Sequence, residues 1–305
     1  MNLGNLDLNL LVSLDALLQE RSVTRAAALL GLGQPALSAS LAKLRRHFND
    51  DLLFRVGNEY RLTPLAVQLK SRTRTALDGA DRVFSAQPDF DPMHSRREFS
   101  VVMSDYGIAI LGQTLVDLMT TEAPAARIRL VHNTPDFVDR AEQALMSIDA
   151  LILPHGFVSD LPHVDLYRDE WVLVVAGDNP EVGAVLTIGQ LTTMPWVVTY
   201  HGPTASTPAA RQMRMLGIEP QVQVVTESFL AIPALVAGSG RIALLQRRLV
   251  SKLPLDSGIR ALPCPFEVGP LVEAMWWHSA YDRDPEHLYF RDLVQRAAKS
   301  ATGAG

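Results

Sequence analysis

Cysteine is almost absent from this 305-residue sequence, whose only thiol is Cys264. A single cysteine excludes an intrachain disulfide framework and a cysteine-rich metal site, and its rarity fits a reducing compartment. The sequence also has no basic segment followed by an apolar stretch near its start, and no apolar run long enough to cross a bilayer. These absences predict a soluble, cytoplasmic protein that does not interact with membranes.

Motifs of the common enzyme classes are missing as well. There is no phosphate-binding loop and no nucleophile-elbow sequence. Segments beginning at Gly31 and Gly238 satisfy the loose dinucleotide pattern, but neither follows a strand and opens a helix within a βαβ unit. The eight histidines, His155 and His163 among them, show no ligand spacing on one helix or hairpin. We therefore expect no catalysis, no cofactor and no bound metal.

The net charge of −5 is unevenly distributed along the chain. Residues 1–87 carry 11 Lys and Arg against 8 Asp and Glu, whereas residues 88–305 carry 17 against 25. A mildly basic head on an acidic body is compatible with a small nucleic-acid-binding module attached to a second unit, although such a balance could equally be a solvated surface. The length alone predicts two or three folding units.

Apolar residues near the start of the chain recur with helical spacing. They predict a first helix from Leu6 to Gln19 and a second that is capped by Ser22 and ends at Gly31, where a positive φ is cheap. A third helix is predicted to begin at Gln34 and to turn one apolar face inward, formed by Leu37, Leu41, Leu44 and Phe48. Two short helices joined by a tight glycine-containing turn indicate a helix-turn-helix.

A hairpin and a long helix are predicted next. Two short alternating runs surround Gly57 and Asn58, which is typical of a β-hairpin, here a wing. Thr63 and Pro64 form a strong helix start, and the helix can extend to about Ser85. Its stripe of small and apolar residues consists of Ala66, Leu69, Thr73, Ala76, Ala80 and Val83. A second copy of the helix is the simplest cover for this stripe, so we expect a dimer.

Beyond the Pro-rich segment 87–92, short β-rich runs alternate with helical stretches, which predicts α/β lobes with mainly parallel sheets. The predicted strands are Phe99–Met103, Ile128–His132, Ala150–Leu153, Trp171–Ala176, Trp196–Tyr200, Gln221–Val225, Ile242–Leu245 and Val272–His278. Helical stretches include Ile108–Thr121, Val138–Ser147, Ser206–Leu216 and Phe229–Ala237. The predicted organisation is a winged helix-turn-helix (1–63), a dimerising linker helix (64–87), a hinge linker (88–97) and a two-lobed domain (98–305).

The segment Ser22–Phe48 carries a specific resemblance. Ala27, Gly31 and Leu37 occupy small, turn and core positions, and the run Gln34-Pro-Ala-Leu-Ser38 matches the start of a recognition helix. The segment resembles the helix-turn-helix of LysR-type transcriptional regulators, and runs at 6–11, 48–52 and 233–246 are similar to the nodulation-protein-D-like subgroup. The resemblance covers nearly the whole chain. Gly33 departs from it, because the family commonly has a serine there.

The resemblance implies double-stranded DNA as a partner, and residue chemistry agrees. Gln34 can pair with adenine and Ala36 can touch a thymine methyl, because the N-terminal end of a recognition helix lies nearest the base edges. Pro35 opens that helix. We expect the other contacts to serve bases or phosphates from the same helix, the preceding helix and the wing. They are Thr24, Arg25, Ser38, Ser40, Lys43, Arg45, Arg46, Arg55 and Arg61.

A small-molecule site is predicted in the crevice of the C-terminal region. Cap-type residues follow several predicted strands, and in open α/β sheets ligands bind at the carboxyl ends of strands, where helix N-termini favour anions. The resemblance implies the same, because regulators of this type bind inducers between two lobes built like periplasmic binding proteins. The predicted effector residues are Ser104, Asp105, Tyr106, Thr134, Phe137, His201, Thr204 and Phe229. The expected inducer is a small organic anion, either an aromatic acid or a phenolic compound.

The sequence therefore predicts a regulator that forms homodimers or homotetramers, binds a pseudo-palindromic DNA site and responds to an inducer, with RNA polymerase left open as a further partner. Two alternatives belong to other classes. A two-lobed small-molecule binding protein without a transcriptional role would be expected to carry an export signal if it served transport. An enzyme on the same scaffold would be expected to cluster acid, base or metal groups between the lobes.

Overall fold

The computed structural model describes residues 7–57, 59–85, 90–199 and 206–303. The chain divides into two compact units, Met1–Pro88 and Asp89–Gly305. Among the described residues, no helix combines the length and the apolar character needed to span a bilayer.

The first unit is a three-helix core followed by a hairpin and a long helix. Its elements are α1 (Asn9–Glu20), α2 (Val23–Leu29), α3 (Gln34–Phe48), β1 (Leu53–Val56), β2 (Glu59–Leu62) and α4 (Pro64–Ser85). The predicted helix cap and glycine turn are both present. The Ser22 hydroxyl caps α2 by accepting from the Arg25 backbone N–H at 3.3 Å, and Gly31 takes a φ of 64° in the turn. Leu37, Leu41 and Leu44 of α3 are buried in the core of this unit.

Asp50 joins the end of α3, the hairpin β1–β2 and the start of α4. Its Oδ1 accepts from the Leu52 backbone N–H at 2.6 Å and from the Thr63 hydroxyl at 2.7 Å. The Thr63 hydroxyl oxygen in turn accepts from the Ala66 N–H at 3.1 Å, so Thr63 caps α4 as predicted. Because one carboxylate oxygen contacts both segments, the position of the wing is coupled to the first turn of the long helix.

The apolar stripe of α4 is only partly available to a second copy. Ala66, Leu69 and Thr73 are buried within the unit itself, where α4 packs on α1. Leu69 therefore belongs to the core of its own unit, and only the part of the stripe beyond Thr73 remains for a second copy. Ala76 and Ala80 continue the stripe and are exposed.

The second unit contains two five-stranded sheets that define two lobes. Lobe 1 holds the sheet β4-β3-β5-β12-β6, and lobe 2 holds the sheet β11-β7-β10-β8-β9. The strands are β3 (Glu98–Met103), β4 (Arg127–His132), β5 (Ala150–Pro154), β6 (His163–Asp169), β7 (Trp171–Ala176), β8 (Pro195–Thr199), β9 (Gln221–Thr226), β10 (Ile242–Gln246), β11 (Ile259–Leu262) and β12 (Leu271–Trp276). The helices are α5 (Asp105–Glu122), α6 (Pro135–Asp139), α7 (Ala141–Leu145), α8 (Ile188–Thr193), α9 (Pro208–Met215), α10 (Ile232–Val236), α11 (Arg247–Lys252) and α12 (Pro285–Thr302).

The sheets are mixed rather than mainly parallel. In lobe 1, β3 pairs in parallel with β4 and β5, whereas β12 pairs antiparallel with β5 and β6. Lobe 2 repeats this division, with parallel pairs β8–β9 and β8–β10 and antiparallel pairs β7–β10 and β7–β11. The chain passes from lobe 1 to lobe 2 between β6 and β7 and returns between β11 and β12, so β12 completes the sheet of lobe 1 after all five strands of lobe 2. This returning strand makes both antiparallel pairs of lobe 1.

Some elements differ from the sequence prediction. Strands β6 and β11 were not predicted, because the first begins in a Pro- and His-containing stretch and the second has only four residues. The helix expected over Val138–Ser147 is replaced by α6 and α7, which meet at Arg140. The predicted strand Trp196–Tyr200 is β8, and Tyr200 lies outside the described residues.

Candidate DNA-contact and effector sites

One face of α3 is free of core contacts. Gln34, Pro35, Ala36 and Ser38 at its N-terminal end are exposed, as is Lys43 farther along. For Pro35 and Lys43 the outward direction follows from the helical period, because Leu37, Leu41 and Leu44 occupy the opposite side, whereas Gln34 is exposed at the end of the helix. Arg46, Thr24 on α2 and Arg61 on β2 are also exposed, whereas Ser40 is half-buried. The first turn of α3 therefore presents polar and small side chains at a helix end with a proline in its first turn.

Three of the predicted phosphate contacts hold the unit together as well. The half-buried Arg45 donates to the backbone carbonyls of Asp51 at 2.8 Å and Leu53 at 2.9 Å, which attaches β1 to α3. Arg25 pairs with the Glu20 carboxylate at 3.0 Å. Arg55 donates to the carbonyl of Gly57 at 3.0 Å within the wing. Of these three arginines, Arg45 is half-buried, whereas Arg25 and Arg55 are exposed.

Two exposed residues of the α3 face were not predicted. Ala39 and Ala42 lie on the outward side of α3, between Pro35 and Arg46. Ala39 is one helical turn after Pro35, and Ala42 is one turn before Arg46. The buried leucines could have identified them, because the residues most distant from Leu37 and Leu41 around the helix are the ones that face outward.

A cleft with about 540 Å³ of empty space, part of it open to solvent, lies between the two lobes of the second unit. Lobe 1 contributes the ends of β3, β4 and β5 and the start of α6, while lobe 2 contributes the start of α9 and residues of β7 and β10. It is lined by Ser104, Asn133, Thr134, Pro135, Val138, Ile152, Leu153, Pro154, Phe157, Trp171, Thr207, Pro208, Phe229, Gln246, Leu271 and Glu273. Most of this surface is apolar or aromatic, as is usual for small-molecule sites.

Only some of the predicted effector residues line this cavity. Ser104, Thr134 and Phe229 line the cavity, whereas Asp105, Tyr106 and Phe137 do not. Tyr106 is fully buried, and Phe137 packs against a separate apolar cluster of lobe 1. His201 and Thr204 lie outside the described residues. The sequence prediction thus located the right strand ends but missed the lining residues that come from β7, β10 and β12.

Asp105 connects the lobes. Its carboxylate accepts from the Ser228 hydroxyl at 2.6 Å and from the backbone N–H groups of Phe229 at 3.1 Å and Leu230 at 3.0 Å. Ser228 follows β9 in lobe 2, and Asp105 begins α5 in lobe 1. A carboxylate that accepts several charge-assisted hydrogen bonds from one loop is a strong attachment. We call this contact the Asp105 bridge.

A second polar connection is buried at the crossing from β6 to β7. The Tyr106 hydroxyl donates to Asp169 Oδ2 at 2.6 Å, and the Arg248 backbone N–H lies 3.2 Å from both carboxylate oxygens. Burial, together with the neighbouring Tyr167 and Glu273, raises the pKa of Tyr106, so it stays a neutral donor. We call this set the Asp169 cluster.

Three residues that line the cavity carry buried polar atoms without a hydrogen-bond partner. Among the described residues, the Trp171 indole N–H, Gln246 Oε1 and Glu273 Oε2 are buried without a hydrogen-bond partner, and all three residues line the cavity. Burial raises the pKa of Glu273 to about 8, with a smaller contribution from the charge of Asp169. Each unmade hydrogen bond costs about 1–3 kcal/mol. A ligand with one acceptor and one or two donors would satisfy these groups.

The charge of the lining is low. None of the described residues that line the cavity is a lysine or an arginine. A second cavity, in lobe 2, has about 630 Å³ of empty space including its opening to solvent and shares Trp171 and Thr207 with the first. It includes Arg214, whose guanidinium donates to the Ser206 hydroxyl at 2.7 Å. The first cavity is therefore suited to an uncharged aromatic molecule, and the second contains a cation.

Each of the two units matches a known protein family. Residues 8–67 match the family profile described as bacterial regulatory helix-turn-helix protein, lysR family, and residues 94–299 match the LysR substrate binding domain. The chain belongs to the LysR family. It is a transcription regulator with a helix-turn-helix and an effector-binding domain, and this family consists of regulators rather than enzymes.

Similar proteins agree over nearly the full length. The chain is 33% identical over 300 residues to nodulation protein D 2 of Rhizobium tropici, which covers 98% of this chain and 95% of that protein. It is 34% identical over 307 residues to nodulation protein D 2 of Bradyrhizobium diazoefficiens, covering 99% and 92%. The resemblance to the nodulation-protein-D-like subgroup is thereby confirmed.

Solved structures share the architecture of this LysR regulator. A probable transcriptional regulator from Pseudomonas aeruginosa matches with a TM-score of 0.73 at 25% identity, covering 96% of this chain and 98% of that one. Full-length CbnR in complex with its target DNA matches with a TM-score of 0.66 at 18% identity, covering 96% and 100%. The predicted α/β fold class is confirmed.

Glu273 makes stability depend on pH. Because its folded pKa of about 8 lies above the unfolded value of 4.5, the folded state holds the proton more tightly, and stability falls as pH rises from about 4.5 to 8. We expect Glu273→Gln to remove this dependence and to stabilise the second unit at pH 8.5 by on the order of 3 kcal/mol. Urea unfolding followed by tryptophan fluorescence at pH 5.5 and 8.5 measures it, since all four tryptophans lie in the second unit.

Asp117→Asn on the exposed face of α5 is the matched control and should leave the pH profile unchanged. If the wild type and Glu273→Gln showed parallel profiles, the carboxyl would be ionised in the folded protein and the assigned pKa would be wrong.

Proposed function

We propose that this LysR regulator acts as a homodimer, or a dimer of dimers, that binds a pseudo-palindromic DNA site through α3 and changes its DNA-bound arrangement when a phenolic compound occupies the cavity between the lobes. The observation that carries the effector assignment is the set of unpartnered polar atoms of Trp171, Gln246 and Glu273, three residues that line a mostly apolar cavity. We propose the cytoplasm as its location and RNA polymerase as a further partner.

The exposed first turn of α3 supports DNA readout at specific bases. Gln34 offers a paired donor and acceptor for adenine, and Ala36 offers a methyl group for thymine. Lys43, Arg46 and Arg61 are exposed cations that contact phosphates in this proposal. Arg45 has the different task of holding the wing, because its guanidinium is bonded to two carbonyls.

A residue that reads bases and a residue that contacts phosphates should lose DNA affinity differently when each is replaced by alanine. Gln34→Ala should cost about 1–3 kcal/mol on the specific site and nothing on random DNA, whereas Arg46→Ala should weaken both alike and reduce the slope of log affinity against log salt. Fluorescence anisotropy with matched specific and shuffled duplexes, over a salt series, measures both quantities. Equal losses on the two duplexes for Gln34→Ala would remove that residue from base readout.

The exposed half of the α4 stripe supports dimerisation. Ala76 and Ala80 are small, exposed and in line with the buried Leu69, so a second helix can approach closely there. A C₂ pair of such helices would set the spacing of the two recognition helices.

Ala76→Glu should dissociate the α4 pair, because two carboxylates would face each other across the seam, while the free energy of unfolding of the monomer stays unchanged. Leu69→Ala should act oppositely and destabilise the first unit by about 2–5 kcal/mol through a core cavity. Sedimentation velocity and urea unfolding separate the two effects. Lys70→Glu, an exposed change on another face of α4, is the control and should leave the oligomer intact. An intact oligomer in Ala76→Glu would exclude this seam.

The cavity favours a phenolic compound over an aromatic acid. A carboxylate would enter a space whose described lining offers no cation and includes the Glu273 carboxyl. Phenolic hydroxyls can donate to Gln246 Oε1 and Glu273 Oε2, and a ring carbonyl or ether can accept from the Trp171 indole. Phe157, Trp171 and Phe229 supply aromatic faces for the ring.

Regulation requires that the ligand bind one lobe arrangement more tightly than another. The cavity draws its lining from both lobes, so a ligand that bonds to Trp171 and Thr134 together favours the arrangement in which both are in reach. The Asp105 bridge acts on the same equilibrium from the protein side. A two-lobed binding protein without a transcriptional role lacks support, because the first unit matches a regulatory helix-turn-helix.

Calorimetry on the full-length protein tests the effector class. We expect hydroxylated aromatic compounds such as flavonoids to bind more tightly than benzoates and aliphatic acids of similar size. Trp171→Phe keeps the ring but removes the N–H donor, and should weaken binding about three- to tenfold, the range of one hydrogen bond. Trp277→Phe is the matched control, because that indole donates to Asp282 away from the cavity. Tight binding of benzoates that is sensitive to Arg214→Gln would place the effector in the second cavity instead.

A further inference from the structure

Three side chains with metal-ligating atoms meet on the exposed edge of lobe 1, and none of them lines either cavity. His155, His163 and Asp165 are all exposed, and one ligand atom from each lies within 4.8 Å of the others. His155 Nε2 is 2.6 Å from Asp165 Oδ1, and the two imidazole rings are 5.1 Å apart and nearly perpendicular. We propose that this cluster is a binding site for a divalent transition-metal ion such as Zn²⁺.

Sheet register explains why the three side chains converge. β12 lies between β5 and β6, and its Ala274 pairs with Leu153 on one side and with Asp165 on the other. His163 and Asp165 are two residues apart on β6 and share one face, and His155 lies two residues beyond Leu153. His155 and Asp165 therefore come from the two strands that flank β12, and their side chains meet at 2.6 Å.

The surroundings orient the imidazole of His163. Its Nδ1 lies 3.1 Å from the carbonyl of Leu161, a contact in which Nδ1 carries the proton and Nε2 keeps its lone pair for a metal. The ring also packs on the buried indole of Trp276 at 4.4 Å, and that indole donates to the Leu153 carbonyl at 3.0 Å. The histidine is therefore held by the arrangement that metal-binding histidines commonly show.

The donor set selects the class of metal. Two imidazole nitrogens and one carboxylate oxygen suit Zn²⁺, Ni²⁺ or Cu²⁺ rather than Mg²⁺ or Ca²⁺, which prefer oxygen ligands alone. Ligand atoms of a tetrahedral Zn²⁺ site lie about 3.4 Å apart, as follows from bond lengths of about 2.1 Å. The His155–Asp165 pair, now at 2.6 Å, would have to widen, and the ligand atoms that are up to 4.8 Å apart would have to approach. Exposed side chains can make both adjustments by rotation. Three protein ligands would leave one position for water or a further ligand.

The site adjoins the wall of the effector cavity. Gly156, directly after His155, accepts at its carbonyl from Arg211 of lobe 2 at 3.0 Å, and the same guanidinium lies 4.7 Å from the ring centroid of Phe157. Phe157 lines the cavity. A metal bound at His155 would restrain residues 155–157, which contact Arg211 of lobe 2 on this side.

The test is calorimetric titration of the untagged full-length protein with ZnCl₂ at pH 7.5. We expect one ion per chain with micromolar affinity and a rise in Tm. His155→Ala and His163→Ala should each weaken binding by at least about tenfold. His94→Ala is the matched control and should change nothing, because His94 forms an exposed pair with Asp91 at 2.7 Å but joins no three-ligand cluster of the described residues.

Two further measurements separate lost ligands from lost structure. His163→Cys supplies a thiolate and should restore much of the zinc affinity, and circular dichroism of the metal-free variants should match the wild type. Ni²⁺ or Cu²⁺ should quench tryptophan fluorescence in the wild type but not in His163→Ala, since Trp276 packs on that ring. Absence of binding at millimolar Zn²⁺, or binding that survives both histidine variants, would overturn the proposal.

Discussion

The buried carboxylate of Asp169 is the contact on which the second unit depends. It lies where the chain passes from lobe 1 to lobe 2, and it accepts from the Tyr106 hydroxyl of α5 and the Arg248 backbone of α11. A buried carboxylate is costly unless hydrogen-bonded, so these donors must stay near it. This requirement holds one helix from each lobe against the crossing, and the Asp105 bridge adds a second attachment at the start of α5. The cavity exists because the lobes are joined at these points.

The same lobe junction separates polar groups that serve the structure from those left for a ligand. Asp105, Tyr106 and Asp169 have their hydrogen bonds made within the protein, whereas Gln246 and Glu273, which line the cavity, each carry a polar atom without a partner. Each unmade bond is unfavourable, so these two groups do not stabilise the protein by themselves. In the proposed function a ligand makes the missing hydrogen bonds of Gln246 and Glu273. The same ligand would also favour one lobe arrangement.

Much of the first unit could be predicted from sequence because its signals are local. Ser22 caps α2, Gly31 takes a positive φ and Thr63 caps α4, and each depends on neighbours within a few residues. Side-chain tasks were harder to predict. Arg45 resembles a phosphate contact in sequence, yet its guanidinium holds the wing through backbone carbonyls, since the hairpin that follows folds back over it.

The sequence by itself determined the family, the helix-turn-helix, the alternation of strands and helices, and the strand ends near which a ligand site forms, because periodicity and capping are short-range properties. Only the tertiary structure decided which side chains face that site and which join the lobes. Trp171, Gln246 and Glu273 come from three strands, two of them in one lobe and one in the other. His155 and Asp165 meet although β12 lies between the strands that carry them. Such meetings follow from sheet order and register, which depend on long-range pairing that no local pattern records.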